Sequence, residues 1–417
     1  MARVGELAGN RVLVGIGGGV AAYKVCEVIS TLVKAGLEVR AILTDSAQQF
    51  IAPLTIATLC RHRVYTDADF WAADHVRPLH IQLGEWADVF LIAPLTAHTL
   101  GKLALGLADN LLTNTFLAST CPVLVAPAMN TTMWEQLSVQ QNWRSLQRME
   151  RIHRVGPGTG LLACDTVGAG RMAEPEEIVP YGLSLLWSGG DRNLAGKQIL
   201  ISAGGTREYL DPVRFIGNPA SGKMGLALAL AAWHRGATVQ LVQAASLAVP
   251  AGGILSTTVV SAAQMQDALI QSFPQADWVI MAAAVADVRP QHYSAAKLPK
   301  DKLPVALPLE AVPDIVQHLS TLKQPHQRLI GFAAQTGEIV APAIAKLQRK
   351  GLDAIVANPI DIPDHGFGSD QNQAVFITAS GNQIPIPSCT KLQMAHHVLD
   401  LILDLALTLD PHRSSAS

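Results

Sequence analysis

Three short segments in the first half of the chain combine residue types that can perform acid–base and thiol chemistry. They are HIQLGEWAD (80–88), PAMNTTMW (127–134) and ACDTVGAGRM (163–172). His80 and Asn130 are polar residues of the first two segments, and the Asn130 amide offers a donor and an acceptor to a carboxylate. Cys164 lies in a polar, glycine-rich loop before Arg171, and a nearby cation would favour the thiolate. On spacing alone a lone histidine is more often structural, and that alternative stays open at this point.

A glycine-rich turn lies near the start of the chain, at residues 15–20, with the sequence GIGGGV. Such a turn between a strand and a helix lets backbone N–H groups approach a phosphate. The dinucleotide fingerprint GxGxxG is incomplete because Val20 stands at the third glycine, although Asp45 stands where a ribose-binding acid is expected. The turn therefore favours a phosphate-bearing ligand, and it supports a nicotinamide cofactor only weakly.

A second loop, Gly217 to Lys223, matches the P-loop pattern GxxxxGK, but Met224 stands where a magnesium-binding Ser or Thr is required. We interpret residues 208–216 as a non-strand segment, which also argues against a P-loop. Ser221 is predicted as the N-cap of the following helix, whose N-terminus could bind an anion.

The elements that must position these residues alternate between short apolar strands and helices. In the first half, strands are predicted at 11–16, 38–44, 88–94 and 123–129, and helices at 20–36, within 96–119 and at 131–147. In the second half, strands are predicted at 197–205, 238–244, 277–284, 328–334, 353–358 and 373–378, and helices at 222–236 and 391–409. The strands are nearly continuous in Val, Ile and Leu, which is typical of parallel sheets covered on both faces.

This alternation predicts an α/β fold with two doubly wound parallel-sheet domains. Residues 188–197, a polar and glycine-rich segment, are interpreted as a linker. The predicted domains are residues 1–189 and 190–417.

Composition excludes several classes of protein. The 417 residues carry 31 Lys and Arg against 33 Asp and Glu, so the chain lacks the basic excess of a nucleic-acid-binding protein. No apolar run approaches the length of a membrane span, and the N-terminus does not resemble a secretory signal. Five cysteines at long spacings predict neither a disulfide framework nor a zinc site, so we expect a cytoplasmic protein.

The motifs together resemble those of two enzyme families. The first half, through GIGGGVAAYK and the three segments above, resembles the flavin-dependent phosphopantothenoylcysteine decarboxylases. The second half resembles the phosphopantothenate–cysteine ligases through SAGGTREYLDPVRFIGN, SGKMG, AAAVADVRP, VPDIV and GFAAQT. The order of the halves is similar to that of the bacterial bifunctional coenzyme A biosynthesis (Dfp) family, and the resemblance covers about residues 9–408.

The resemblance implies that both domains have a Rossmann-like fold. For the first half, it implies an FMN cofactor and decarboxylation of phosphopantothenoylcysteine. His80 would be the base near the flavin and the substrate thiol, Asn130 would hold the substrate carboxylate, and Cys164 would protonate the product. The residues that would bind FMN are Gly15, Gly17, Gly18, Val20, Thr44, Ser46, Ala93 and Thr96.

For the second half, the resemblance implies that CTP activates 4′-phosphopantothenate as an acyl-cytidylate, which L-cysteine then attacks. Asn218 would act in the first of these steps. The residues that would bind CTP are Ala283, Asp287, Lys297, Pro313, Asp314, Ile315, Val316, Phe332, Lys346 and Lys350. Mg²⁺ is expected with the triphosphate, although no carboxylate cluster in the sequence identifies its ligands.

The sequence departs from the family patterns at several positions. They are Gly17, Leu95, His98, Asp165, Thr166, Ala220, Pro299 and Gln335. A two-domain nicotinamide oxidoreductase is the alternative, but the Val20 position argues against it. A non-catalytic relative is disfavoured because the three candidate catalytic residues of the first half are present. The resemblance further implies a homo-oligomer with trimeric decarboxylase contacts and dimeric ligase contacts, combined in a dodecamer, with no nucleic-acid or membrane partner.

Overall fold

A computed structural model of the chain describes residues 7, 9–73, 76–163, 165–244, 247–250, 252–303, 305–362 and 368–409. The chain divides into two compact units, Met1–Asp191 and Arg192–Ser417. Among the described residues no helix has the length and apolar character needed to cross a bilayer.

The first unit contains eight strands and nine α-helices in the ranges described. The strands are β1 (Arg11–Ile16), β2 (Glu38–Leu43), β3 (Val64–Thr66), β4 (Val89–Leu95), β5 (Val123–Pro127), β6 (Ile152–Arg154), β7 (Gly158–Leu161) and β8 (Val167–Arg171). The helices are α1 (Ala22–Lys34), α2 (Pro53–Cys60), α3 (Asp67–Phe70), α4 (Leu79–Trp86), α5 (Ala97–Leu105), α6 (Leu111–Ala118), α7 (Thr131–Glu135), α8 (Leu137–Leu146) and α9 (Pro175–Ser188).

Six strands of this unit form a parallel sheet in the order β3-β2-β1-β4-β5-β6. All seven residues of β4 are buried, because helices cover both faces of the sheet. The remaining strands, β7 and β8, pair as an antiparallel hairpin after the sheet is complete.

The second unit contains twelve strands and five α-helices in the described ranges. The strands are β9 (Gln198–Ala203), β10 (Arg207–Tyr209), β11 (Phe215–Gly217), β12 (Thr238–Gln243), β13 (Ile254–Thr258), β14 (Trp278–Met281), β15 (Val288–Pro290), β16 (Leu309–Ala311), β17 (Arg328–Gln335), β18 (Ala354–Pro359), β19 (Gln371–Thr378) and β20 (Gln383–Thr390). The helices are α10 (Lys223–His234), α11 (Ala262–Ser272), α12 (Ile315–Leu322), α13 (Val340–Arg349) and α14 (Lys391–Leu409).

Its main sheet has eight strands in the order β13-β12-β9-β14-β17-β18-β19-β20. Numbered by appearance, its six parallel strands repeat the order 3-2-1-4-5-6 of the first unit, and β19 and β20 add an antiparallel edge. One apolar core lies between the sheet and helices α10 and α14, and a second lies between the opposite face and α11, α12 and α13. The prediction of two doubly wound units is therefore confirmed.

Three local predictions are wrong. The helix predicted over 131–147 is divided, because Gln136 adopts an extended backbone with ψ of 136° between α7 and α8. The segment 208–216 is not free of strands, since β10 and β11 pair there as a hairpin. Ser221 does not cap α10: the N-cap is Gly222, with a φ of +81° that a glycine accommodates without strain.

Candidate active sites

The strand order places a crevice in each unit. In a 3-2-1-4-5-6 sheet, the connections from the first and fourth strands leave in opposite directions, and ligands bind outside the carboxyl ends of those strands. In the first unit these are the ends of β1 and β4, and in the second they are the ends of β9 and β14.

The glycine turn of the first unit lies in its crevice. A Cβ atom on Gly17 would lie 3.3 Å from Thr96 Cγ2 and closer still to the carbonyl oxygen of Pro94, while one on Gly18 would overlap the side chain of Ser46. The structure thus brings the turn together with Ser46 and Thr96, and its close packing requires residues without side chains.

The other predicted flavin-binding residues occupy distinct positions around this edge. Thr44 is buried, and its hydroxyl donates to the carbonyl oxygen of Ile16 at 3.2 Å. Ala93 is buried at the end of β4 and precedes a cis proline, whereas Val20 is 58% exposed. Gly15 lies inside β1 against the core, where a Cβ would approach Leu112 Cδ1 to 2.9 Å, so its evident role in the structure is packing.

His80 is the second residue of α4, and its half-buried ring packs edge-on against Phe70 with centroids 5.5 Å apart. Its Nδ1 atom is buried and has no hydrogen-bond partner among the described residues. Buried polar atoms are normally paired, so an unpaired one calls for an explanation. A bound ligand that hydrogen-bonds the ring would provide it.

Asn130 caps α7, with Oδ1 accepting from the Thr132 N–H at 2.8 Å. The neighbouring Met129 N–H donates to the Gly170 carbonyl oxygen of β8 at 3.0 Å. Gly170 has a φ of +137°, and a Cβ there would overlap the Met129 carbonyl oxygen. The hairpin that carries the 162–166 loop is thereby docked beside Asn130. Cys164 lies outside the described residues.

The base of this hairpin is joined to α1 by an ion pair. Lys24 is 8% exposed, and its Nζ lies 2.8 Å from Glu174, which follows β8 closely. Arg171 approaches the same carboxylate at 2.7 Å. The hydrogen bond from Lys24, reinforced by both positive charges, lowers the pKa of Glu174. Arg171, the cation that sequence reasoning placed near Cys164, is thus paired with Glu174.

The crevice of the second unit is a cavity of about 490 Å³. Ten of the predicted ligase residues line it: Asn218, Ala283, Asp287, Pro313, Asp314, Ile315, Val316, Phe332, Lys346 and Lys350. Lys297 is exposed and is not among the described residues that line the cavity.

Two lysines from α13 define the charge at one side of this cavity. Lys346 Nζ donates to the Phe332 carbonyl oxygen at 2.8 Å, and Lys350 pairs with Asp314 at 3.1 Å. Burial, together with the positive charge of Lys350, lowers the pKa of Lys346 to about 8. Burial of Asp314 opposes its ionisation, but hydrogen bonds from Gln317 and Lys350 and the nearby lysine charges outweigh it and lower the pKa of this carboxyl.

Asn218 follows β11 and reaches the loop after β14. Its Nδ2 donates to the carbonyl oxygens of Ala284 and Val285 at 3.4 and 3.3 Å. The side chain therefore lies against the AAAVAD segment and stands at the cavity wall, although it is more than 60 residues away in sequence.

Sequence reasoning missed several polar residues that line the cavity. They are Lys223, Asn358, Asn372 and Lys391. Lys223 Nζ pairs with Asp370 at 2.6 Å, and burial, followed by the charge of Lys223, lowers the pKa of Lys391. The GKMG motif could have indicated Lys223. Lys391 follows the antiparallel strand β20, whose pairing the apolar pattern did not reveal.

No group of three or more His, Cys, Asp or Glu side chains within the described ranges is arranged to hold a metal ion.

Two family models match the chain. The family described as Flavoprotein matches residues 2–185, and the DNA/pantothenate metabolism flavoprotein C-terminal domain matches residues 194–405. The boundary between the two matches lies at the same place as the division between the compact units.

Curated relatives match both halves at once. The coenzyme A biosynthesis bifunctional protein CoaBC of Bacillus subtilis is 41% identical over 96% of this chain and 98% of its own length. That of Vibrio cholerae is 39% identical over 95% of this chain and 98% of its own length. A cysteine/cysteine sulfinic acid decarboxylase from an unknown prokaryotic organism is 40% identical over 85% of this chain and 99% of its own length.

These matches give no support to the nicotinamide oxidoreductase alternative. Identity of this order over nearly the whole of both chains, with one family model on each unit, establishes the relationship. The chain belongs to the family of bifunctional coenzyme A biosynthesis proteins CoaBC, enzymes with a decarboxylase and a ligase domain in one polypeptide.

Proposed function

We propose that the chain catalyses two consecutive steps of coenzyme A biosynthesis. Residues 190–417 ligate L-cysteine to 4′-phosphopantothenate at the expense of CTP, releasing CMP and pyrophosphate. Residues 1–189 then decarboxylate the phosphopantothenoylcysteine to 4′-phosphopantetheine with FMN as cofactor. The observation that carries the ligase assignment is the single cavity lined by Asn218 and nine of the ten predicted CTP-binding residues.

In the ligase, the carboxylate of 4′-phosphopantothenate attacks the α-phosphorus of CTP, and pyrophosphate leaves. The amine of cysteine then attacks the acyl carbon of the acyl-cytidylate, and CMP leaves. Lys346 and Lys350 supply positive charge for the phosphates, and Asn218 supplies an amide beside the reacting groups. Bound Mg²⁺ would add positive charge at the triphosphate, and its ligands would be mainly triphosphate oxygens and water.

In the first unit, the residues present fit a flavin phosphate. Gly17 and Gly18 pack so closely against Pro94 and Ser46 that neither position has room for a Cβ, and Thr96 lies beside the same turn. Bound FMN would supply reversible two-electron chemistry at the substrate thiol, which makes the loss of carbon dioxide possible. His80 accepts the thiol proton, Asn130 orients the carboxylate, and Cys164 returns a proton to the product.

Exposed apolar side chains support the expected assembly of the first unit. Tyr23, Leu54 and Trp71 on α1, α2 and after α3 are 63%, 77% and 79% exposed. Burying such residues against other copies is favourable, so we propose a homo-oligomer with trimeric decarboxylase contacts. Light scattering of the purified chain tests this, and a monomer at micromolar concentration would contradict it. The reducing cytoplasm is the proposed compartment.

Two substitutions test the assignment in opposite directions. His80→Asn should abolish decarboxylation of supplied phosphopantothenoylcysteine and leave ligation at the parent rate. Asn218→Asp should do the reverse. Supplying L-cysteine alone to the decarboxylase is the control, because one relative is named for that substrate. Normal decarboxylation by His80→Asn, or normal ligation by Asn218→Asp, would remove that residue from the mechanism.

A further inference from the structure

Asp211 is an acidic residue that the proposed mechanism does not use. Its side chain is 0% exposed, although it lies in the turn of the small β10–β11 hairpin. One carboxylate oxygen, Oδ1, accepts from the backbone N–H groups of Val213 and Arg214 at 2.8 Å each. The other, Oδ2, accepts from Arg214 Nη1 at 2.7 Å and from the backbone N–H of Leu298 at 3.2 Å.

The contact with Leu298 joins two segments that are distant in sequence. Arg214 Nη1 also donates to the Leu298 carbonyl oxygen at 3.2 Å, and the Ser294 N–H donates to the Leu210 carbonyl oxygen at 2.9 Å. Three hydrogen bonds therefore attach the 291–303 segment to the hairpin turn. Burial of Asp211 opposes ionisation, but the backbone N–H groups of Val213, Arg214 and Leu298 outweigh it and lower the pKa of this carboxyl.

Both attached segments carry residues assigned above to the ligase. The strand β11 leads directly into Asn218, which stands at the cavity wall. Leu298 is the next residue after Lys297. Lys297 itself is exposed, so its position depends on how the 291–303 segment is held.

We propose that Asp211 is a positioning residue of the ligase: through the N–H of Leu298 it latches the segment bearing Lys297 to the hairpin that carries Asn218, so that both side chains reach the nucleotide together. This inference rests on the proposed function of the second unit. Positioning of this kind has a large effect on rate, since displacing a reacting group by about 1 Å can slow a reaction about a hundredfold.

Asp211→Asn should remove the hydrogen bond to the Leu298 N–H while keeping the hydrogen bonds that form the turn. The asparagine Oδ1 can still accept from the N–H groups of Val213 and Arg214, because Asn forms the same turn as Asp. Its amide NH₂ would face the Leu298 N–H and Arg214 Nη1, and donors cannot bond to donors. Leu298→Pro is the second variant: it removes the N–H from the other partner and leaves the hairpin untouched.

Glu208→Gln is the matched control. Glu208 is a second buried carboxylate on the same hairpin, 5% exposed, and it accepts from the Ala262 N–H at 2.7 Å. Within the described residues it makes no hydrogen bond to the 291–303 segment. Glu208→Gln therefore perturbs the hairpin without opening the latch.

The test measures ligation kinetics with CTP and amide hydrogen exchange at 291–303 in the full chain. We expect Asp211→Asn and Leu298→Pro to lower ligation kcat at least about tenfold and to speed exchange across 294–297, and Asp211→Asn to speed exchange at Leu298 as well. Glu208→Gln should leave both unchanged. In a Lys297→Ala background, Asp211→Asn should have little additional effect on kcat, because coupled residues are not additive.

Four results would overturn the proposal. They are parent kcat in Asp211→Asn, equal losses in Asp211→Asn and Glu208→Gln, full additivity with Lys297→Ala, and unchanged exchange at Leu298 in Asp211→Asn. Hydrogen exchange distinguishes failure of this proposal from failure of the proposed ligase function. If the parent chain does not ligate with CTP, the proposed function fails, whereas unchanged exchange at Leu298 in Asp211→Asn rejects the latch itself.

Discussion

Lys24 Nζ lies 2.8 Å from the Glu174 carboxylate and so joins α1 to the base of the β7–β8 hairpin. The lysine belongs to the helix that follows the glycine turn, and the glutamate follows the hairpin whose loop carries Cys164. One half-buried ion pair thus links the segment expected to hold the flavin phosphate to the segment expected to close over the substrate.

We expect Lys24→Met to slow decarboxylation and to lower the free energy of unfolding of the first unit by about 1–3 kcal/mol. The cost is smaller than for a fully buried pair because Glu174 is 41% exposed and keeps Arg171. Stopped-flow decarboxylation and thermal melts measure these effects. Lys102→Met, which breaks the pair between Lys102 and Asp109, is the control. Equal decarboxylation rates in parent and Lys24→Met would contradict a positioning role.

Gly170→Ala should disable decarboxylation and spare ligation. The backbone φ of +137° and the overlap of a Cβ with the Met129 carbonyl oxygen force the hairpin away from Asn130. Gly182→Ala is the matched control, since a Cβ there meets nothing within 4 Å, and an alanine favours the helix. Phosphopantetheine formation from supplied phosphopantothenoylcysteine is the assay. A fully active Gly170→Ala would show that docking of the hairpin is not required.

The lowered pKa of Lys346, about 8, predicts a pH dependence of the ligase. Below about pH 8 the free enzyme carries this charge, and above it the charge is lost, so kcat/KM for CTP should fall as pH rises through that value. Lys346→Met should be less active and should lack this step. Lys323→Met, which removes the partner of Asp353, should retain it. A profile that is flat from pH 7 to 9.5 would contradict the prediction.

Acid should destabilise the second unit through His396. This histidine is 1% exposed, and burial, together with the positive charges of Arg235, His234 and His397, holds its pKa well below the ordinary value. The unfolded chain takes up a proton near pH 6.5, so stability is lost as pH falls below that value, by about 1.4 kcal/mol per pH unit for each such group.

His396→Met removes one titrating group from this cluster. Its melting temperature should depend less steeply on pH between 6.5 and 5 than that of the parent. Calorimetric melts of the full chain at several pH values provide the comparison. An unchanged slope would mean that His396 does not control acid stability.

The apolar pattern predicted the alternation of strands and helices because buried parallel strands leave continuous runs of Val, Ile and Leu. It could not predict that β19 and β20 run antiparallel, since a strand in that position has the same composition whichever way it runs. The break at Gln136 was missed because apolar periodicity continues across it. The β10–β11 hairpin was missed because three-residue strands are too short to show alternation.

For the sites, motifs on the main sheet were the most informative. Ala283 follows β14 and Phe332 belongs to β17, which are parallel neighbours in one sheet, so both residues lie near the same edge. Asp314 is the N-cap of α12, and it lines the same cavity. Lys391 enters the same cavity through the antiparallel edge, and no spacing rule reveals that. Lys297 was predicted from a motif, but it does not line the cavity among the described residues. A matching motif does not determine where an exposed segment places its side chain.

One reaction mixture tests the central claim most directly: the purified chain with 4′-phosphopantothenate, L-cysteine, CTP and Mg²⁺, followed by mass spectrometry. The account predicts 4′-phosphopantetheine, carbon dioxide and CMP, with phosphopantothenoylcysteine as a transient species. Accumulation of phosphopantothenoylcysteine without phosphopantetheine would contradict the decarboxylase assignment, and the absence of both acyl products and of CMP would contradict the ligase assignment.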